Sequence, residues 1–229
     1  CVLHTYVKNG TCIPHLRSHE MSLSIDKAIR DNGGDIWYNS EVTKVIMEKG
    51  KPVGVVINGE TEVYGKYFIC NSSPNVVWTD LFEKKDVPEK QLKMLNSRKI
   101  ACALTTVYLG MNKTKEELGI TDYSVFIAPD SDSDKQYEAA QNYFSGYCII
   151  NCLNEIIPDC TPEGTSQLFL TTMTFGDVMK DIKPQDYKKF KTKVAEDMIE
   201  TCEKALNISI KPYIEEIEIA LPPTFCRYL

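Results

Sequence analysis

"DNGGDIWYNSEVTKVIMEKGKPVGVVING" spans residues 31–59, and its order of turn-forming and apolar residues decides how the first third of the chain reads. Asn32 and Gly33 tolerate left-handed backbone and so end the helix before them. That helix is predicted over "LRSHEMSLSIDKAIRDNGG", where Met21, Ile25, Ala28 and Ile29 share one face. "DIWYN" predicts a short strand. "EVTKVIME" and "VGVVI" predict two more, joined across Lys49-Gly50-Lys51-Pro52. Asn58-Gly59 is a two-residue hairpin signal, because both turn positions need positive φ. "TEVYG" then completes a small antiparallel meander. "KYFICN" reads as an apolar strand that stops at Ser72-Ser73-Pro74, and "TYVKNG", at the other end of this region, as a strand end and a turn.

After Pro74 the texture changes. "NVVWTDLF" and "PEKQLKMLNS" predict two short helices, and "ACALTTVYLGMN" a long strand rich in Thr, Val and Tyr. "YSVFIAP", "GYCIINCLN" and "SQLFLTTMTF" predict further strands, the last two separated by the loop "EIIPDCTPEGT". "DSDSDKQYEAAQ" suits a surface loop leading into a helix. The clearest helix is Pro184 to Leu206, with Pro184 at its first position and a stripe of Tyr187, Phe190, Val194, Met198, Cys202 and Ala205. "YIEEIEIALP" closes as a strand over about 213–220. Two domains follow, 1–74 and 75–229. The fold class is α/β plus α+β: a helix, a parallel strand and a β-meander, then an antiparallel or mixed sheet with helices packed on it.

The 229 residues suffice for one large or two small domains, and 43% apolar content supports a packed core. A net charge of −6 argues against a nucleic-acid partner, whose phosphates need a basic surface. No apolar run reaches the ~18 residues of a membrane span. The opening "CVLHTYVKNG" lacks the pattern of a signal peptide and begins without Met, which reads as a piece cut or trimmed from something longer. The nine cysteines form no C-x-x-C pair, and the three histidines, His4, His15 and His19, lie far from the Cys148, Cys152 and Cys160 cluster. The expectation is free buried thiols in a reducing, cytoplasmic setting and no metal site. Three Asn-x-Ser/Thr matches, at Asn71, Asn112 and Asn207, read as chance.

The helix followed by "NGGDIWYNSEVTKVIMEKGKPVGVVINGETEVYGKYFICNSSP" resembles the FAD-dependent phytoene desaturase and retinol saturase group of the flavin-containing amine oxidoreductase superfamily. The matching elements are Gly33-Gly34 at the helix end, Val42 and Ile46 in "x-V-x-x-I", Gly50, Gly54 and Val55 in "G-x-x-x-G-V", and Asn71 and Pro74 in "N-x-x-P". "IINCLNEIIPDCTPEGTSQLFL" and "YIEEIEIALPPTFCRYL" continue the match more weakly. The family's Gly-Gly before the helix is replaced by Arg17-Ser18, and its GxGxxG unit and C-terminal glycine-rich segment are not in this sequence. The resemblance implies the middle of a flavoenzyme, which alone would bind FAD weakly or not at all.

It further implies that the backbone at Val42 meets the adenine ring, and that Asn71, Ser72, Ser73 and Pro74 lie near the nucleotide. As an ordinary strand and turn the same residues need no ligand. Thr105, Tyr108, Phe126 and Phe169 are candidates for the wall of an apolar substrate pocket, although alternation allows only half to face it and core packing explains any one of them. No acid–base constellation stands out, and no catalytic residue is assigned. His15 and His19 have metal-compatible spacing but no partner ligand. Glu215, Glu216 and Glu218 read as a solvated strand face rather than paired carboxylates. The expected partner is a hydrophobic small molecule. Peripheral membrane contact is compatible with such a substrate, although no basic amphipathic helix demands it. An amine or porphyrinogen oxidase, or a non-catalytic lipid- or protein-binding module, remain the alternatives.

Overall fold

The computed structural model describes residues 8–10, 12–15, 17–98, 102–175 and 178–228. They fall into two compact units, Cys1–Lys99 and Ile100–Leu229. Residues 5–7 of "TYVKNG" lie outside the described residues, and Lys8 and Asn9 are helical.

In the first unit, α1 (Arg17–Asp31) ends as the sequence requires. The Gly33 N–H donates to the Arg30 carbonyl at 2.9 Å and the Gly34 N–H to the Ile29 carbonyl at 2.9 Å. Gly33 sits at φ +80, and a Cβ on Gly34 would lie 2.7 Å from Ile29 Cγ2, so each glycine has its own reason. At the other end, Arg17 adopts φ 67, a left-handed backbone at the place where the resembled family carries glycine.

Two expected strands do not form. "DIWYN" is extended and then turns, with Asn39 at φ 53. A side-chain network holds it to the helix end. Arg30 donates to Asp26 at 3.0 Å, to Asp35 at 2.9 Å and to the Ile36 carbonyl at 3.2 Å. The Tyr38 hydroxyl donates to Asp26 at 2.8 Å and Trp37 Nε1 to Asp35 at 2.7 Å. "KYFICN" is likewise unpaired, with Tyr67 91% and Ile69 100% exposed. A ladder needs a partner strand, and the described residues of this unit offer only the meander. Every strand pairing among the described residues is antiparallel, so the expected parallel strand is absent from them.

The meander is β1 (Val42–Glu48), β2 (Lys51–Ile57) and β3 (Thr61–Tyr64), in the order β1-β2-β3. Lys49-Gly50 and Asn58-Gly59 all have positive φ, as two-residue hairpins of this twist require. The Asn58 side chain also accepts from the Glu41 N–H at 2.9 Å and donates to the Asn39 carbonyl at 3.2 Å. Helical turns at Pro74–Val76 and Val77–Leu81 follow, and the second packs on β1. Nearby, Lys44 pairs with Glu83 at 2.9 Å. Hydrogen bonds from Lys44 and Lys85 hold the Glu83 carboxyl down at about 2. The compact units divide between Lys99 and Ile100, and α2 (Glu89–Ser97) falls within the first of them.

The second unit is a five-stranded sheet in the order β5-β6-β7-β4-β8. Its strands are β4 (Cys102–Met111), β5 (Ser124–Ile127), β6 (Cys148–Cys152), β7 (Ser166–Phe175) and β8 (Ile214–Ala220). Three helices accompany them: α3 (Ser133–Ala139), α4 (Tyr187–Leu206) and α5 (Pro222–Tyr228). Asp132 caps α3, accepting from the N–H groups of Asp134 and Lys135. Val194, Met198 and Cys202 of the predicted α4 stripe are fully buried, while Ala205, the last of it, is exposed. They pack on Val107, Leu109, Ile150, Leu168 and Leu170 of the sheet to form the core.

Candidate substrate face and cofactor-side strands

Alternation along β4 sorts most of its side chains, Thr106 being buried on the outer face. Thr105, Val107, Leu109 and Met111 are buried on the face that joins the core under α4, while Leu104 and Tyr108 are exposed on the other. Strand register extends that outer face across the sheet. One row runs Ser124, Asn151, Phe169, Tyr108 and Glu218 through direct pairs. The next runs Phe126, Ile149, Thr171, Thr106 and Ala220. The rings of Tyr108 and Phe169 meet edge to face, their centroids 5.4 Å apart. Leu104 and Met173 continue the apolar surface as a further cross-strand pair.

Of the four candidate substrate residues, Tyr108, Phe126 and Phe169 therefore share one open face. Thr105 does not: it is 0% exposed and points into the core, with its hydroxyl oxygen buried and without a hydrogen-bond partner. It lies three residues from Tyr108, and an odd separation along a strand puts two side chains on opposite faces.

Beyond the Tyr108–Phe169 pair the face deepens into a cleft of about 340 Å3, lined by Tyr108, Gly110, Pro162, Phe169, Glu216 and Glu218 among others. Gly110 sits between Gln167 of β7 and Glu216 of β8, and a Cβ there would meet the Glu216 Cβ at 3.2 Å. The loop beside the cleft is tied down by the buried amide of Asn154. Its Nδ2 donates to Thr161 Oγ1 at 2.7 Å and its Oδ1 accepts from the Gln167 N–H at 2.9 Å. Gln167 Nε2 in turn lies 3.1 Å from the Cys160 sulfur. The strand-face glutamates thus line a cleft. Their i, i+2 spacing marks a shared face, but only the pairing with Gly110 and Tyr108 shows which one.

On the first unit, Val42 opens β1, the edge strand of the meander. The carbonyl of Glu41 accepts from the Asn58 N–H at 2.8 Å, so Glu41 faces β2 and alternation turns the backbone groups of Val42 to the open side. Asn71, Ser72, Ser73 and Pro74 are exposed, and the Ser73 side chain makes no cap hydrogen bond to the helical turn behind it.

Other titratable groups have structural surroundings. His15 and His19 are exposed, and no group of three or more His, Cys, Asp or Glu among the described residues is arranged to hold a metal. The eight described cysteines are free. Cys148 and Cys202 are buried with their sulfurs 3.8 Å apart, and each other's proximity together with burial pushes the Cys148 thiol far up. Cys152 is also buried, but Cys12, Cys70, Cys102 and Cys226 are exposed, so burial accounts for only part of the expected set. No described helix is long and apolar enough to cross a membrane.

These features define a mixed α/β chain, an antiparallel meander unit followed by an antiparallel sheet with one open aromatic face. The chain resembles carotenoid and retinoid oxidoreductases. It is 25% identical over 206 residues to prolycopene isomerase of Daucus carota, covering 90% of this chain and 32% of that protein. It is 24% identical to 4,4'-diapophytoene desaturase of Methylomonas sp, covering 96% of this chain and 43% of the relative. It is 26% identical to all-trans-retinol 13,14-reductase of Danio rerio, covering 96% and 40%. No family model matches. Among solved structures, an oxidoreductase from Methanosarcina mazei superposes with a TM-score of 0.54 at 15% identity, over 85% of this chain and 40% of its own. Reduced UDP-galactopyranose mutase does so with 0.56 at 12%, over 86% and 37%. The chain thus shares its fold with oxidoreductases and spans between a third and two-fifths of the length of most of these proteins.

Proposed function

We propose that this chain forms the adenine-side strands and the substrate-binding unit of an FAD-dependent oxidoreductase acting on carbon–carbon bonds of an isoprenoid or similar lipid-like molecule. The observation that carries the reading is the outer sheet face. Its Tyr108 is exposed and Phe169 half-buried beside it while α4 closes the opposite face, so the sheet offers an apolar wall outside its own core. The names of the relatives support the substrate class, since prolycopene, diapophytoene and retinol are all isoprenoids.

The cofactor-side residues suit FAD in chemistry. The outward N–H and C=O of Val42 match the edge of an adenine ring. Asn71, Ser72 and Ser73 offer an amide and two hydroxyls to ribose or phosphate. The chemistry FAD supplies when bound is hydride acceptance and donation. The task of this chain's own residues is to hold the apolar substrate and keep water from it. The free described cysteines are in keeping with a reducing, cytoplasmic setting.

The test is a pair of measurements on a longer polypeptide that joins this chain to a GxGxxG-bearing β–α unit. It should copurify with flavin and change the conjugation of an isoprenoid polyene, read as a shift in the product's absorption. Val42→Pro removes the N–H on the open side of an edge strand, where proline is tolerated, and should lower flavin retention about tenfold. Oxidation of amines or porphyrinogens with no change in the polyene, or full flavin retention by the proline variant, would sink the proposal.

A further inference from the structure

We infer that Cys148 and Cys202 form a reversible disulfide that clamps α4 to the sheet when the protein meets a small hydroperoxide. The clamp is independent of which substrate the outer face holds. Three observations carry it. The two sulfurs lie 3.8 Å apart, with the Cys202 S–H donating to the Cys148 sulfur, so the side chains already face each other. Both cysteines are closed off from solvent, at 2% and 0% exposed, in the layer where α4 packs on β6. Among the described residues no other two cysteine sulfurs come within such reach.

A disulfide holds its sulfurs about 2.05 Å apart, so closure asks for an approach of roughly 1.8 Å. Rotation of the two side chains and a small slide of α4 on β6 share that distance. The step balances with hydrogen peroxide. The first sulfur takes one oxygen and becomes a sulfenic acid, as the peroxide O–O bond breaks and one water leaves. The second sulfur then attacks the first, the S–O bond breaks, and a second water leaves with the remaining thiol proton. Two electrons pass from sulfur to oxygen. Hydrogen bonding to Cys202 and burial push the Cys148 thiol far up, so its thiolate is scarce and the pair stays reduced in a reducing setting. The bond joins residues 54 apart in sequence. Closing a loop of that length acts mainly by removing freedom from the unfolded chain.

The experiment uses the full chain with Cys1 and the exposed Cys12, Cys70, Cys102 and Cys226 replaced by serine, which removes links between molecules at those positions. The folded protein is treated with hydrogen peroxide, alkylated and digested. Mass spectrometry should find the Cys148 and Cys202 peptides joined, lighter than their sum by two hydrogens. The folding equilibrium constant should rise about a hundredfold, seen as a higher urea midpoint in far-UV circular dichroism. Dithiothreitol should reverse both changes. Cys202→Ala should abolish the joined peptides and the gain together, and Cys148→Ala should do the same if the first variant does not fold. Oxidation confined to sulfinic or sulfonic acids, a link to Cys152 or Cys160 instead, joined peptides that form only in the urea-unfolded chain, or a link that leaves the midpoint unchanged overturns the inference.

Discussion

Thr105→Val should stabilise the second unit. The Thr105 side chain is 0% exposed, and its hydroxyl oxygen is buried with no hydrogen-bond partner. Its cross-strand neighbour Thr172 differs, since that hydroxyl donates to the Tyr147 carbonyl at 2.6 Å. An orphaned buried hydroxyl costs about 1–3 kcal/mol of desolvation, and valine keeps the branched shape at no such cost. The expected gain is therefore about 1–3 kcal/mol, seen as a higher denaturant midpoint at constant slope in far-UV circular dichroism. Thr174→Val, at the second orphaned hydroxyl, serves as the partner measurement. Gains that add would mark two independent orphans. A midpoint unchanged or lowered by Thr105→Val would mean that a buried water satisfies the hydroxyl, and the reasoning would fail. Polyene binding should be untouched, because Thr105 faces away from Tyr108 and Phe169.

Leu170→Ala should cost about 2–5 kcal/mol, since Leu170 is fully buried between Val107 and Ile150; urea melts measure it. Arg17→Gly should raise the stability of the first unit by roughly 0.5–1 kcal/mol, read by tryptophan fluorescence, because Arg17 holds φ 67 against its side chain. Asp197 supplies a pH signature. Burial pushes its carboxyl up, but hydrogen bonds from Tyr143 at 2.7 Å and from Lys193 outweigh that and hold it below the ordinary 3.8. A lowered carboxylate contributes stability above its ordinary value and loses it as pH falls through the folded one. Asp197→Asn should accordingly give a shallower loss of stability below about pH 4. A parallel acid limb in both proteins would refute the assignment.

Much of the fold was legible where the signal is local. Asn58-Gly59 fixed a hairpin, the apolar stripe from Tyr187 fixed α4, and "SQLFLTTMTF" marked β7 to the residue. "DIWYN" and "KYFICN" misled because strand composition says nothing about whether a partner strand lies alongside. A different competitor won at "DIWYN", where Arg30, Asp35 and Tyr38 tie the segment to the helix end. At the candidate site, Tyr108 and Phe169 could be named as aromatic strand residues. Alternation already puts Thr105 and Tyr108 on opposite faces, but which of the two faces α4 covers is a tertiary fact. The same holds for Glu216 and Glu218, whose spacing reads as a wet strand until β8 is laid beside Gly110.

The order of the second sheet bears on how the polypeptide reaches its native state. The meander closes through two tight turns and needs only neighbours close in the chain, so it can assemble within moments of its own synthesis. β4 is the reverse: Thr105 must wait for Thr172, and Thr106 for Ala220, before either edge of the strand is occupied. During that interval a ten-residue strand rich in apolar side chains stands with both flanks open to other copies. Aggregation on refolding should therefore begin at β4, and anything that lengthens the wait for β7 and β8 should lower soluble yield.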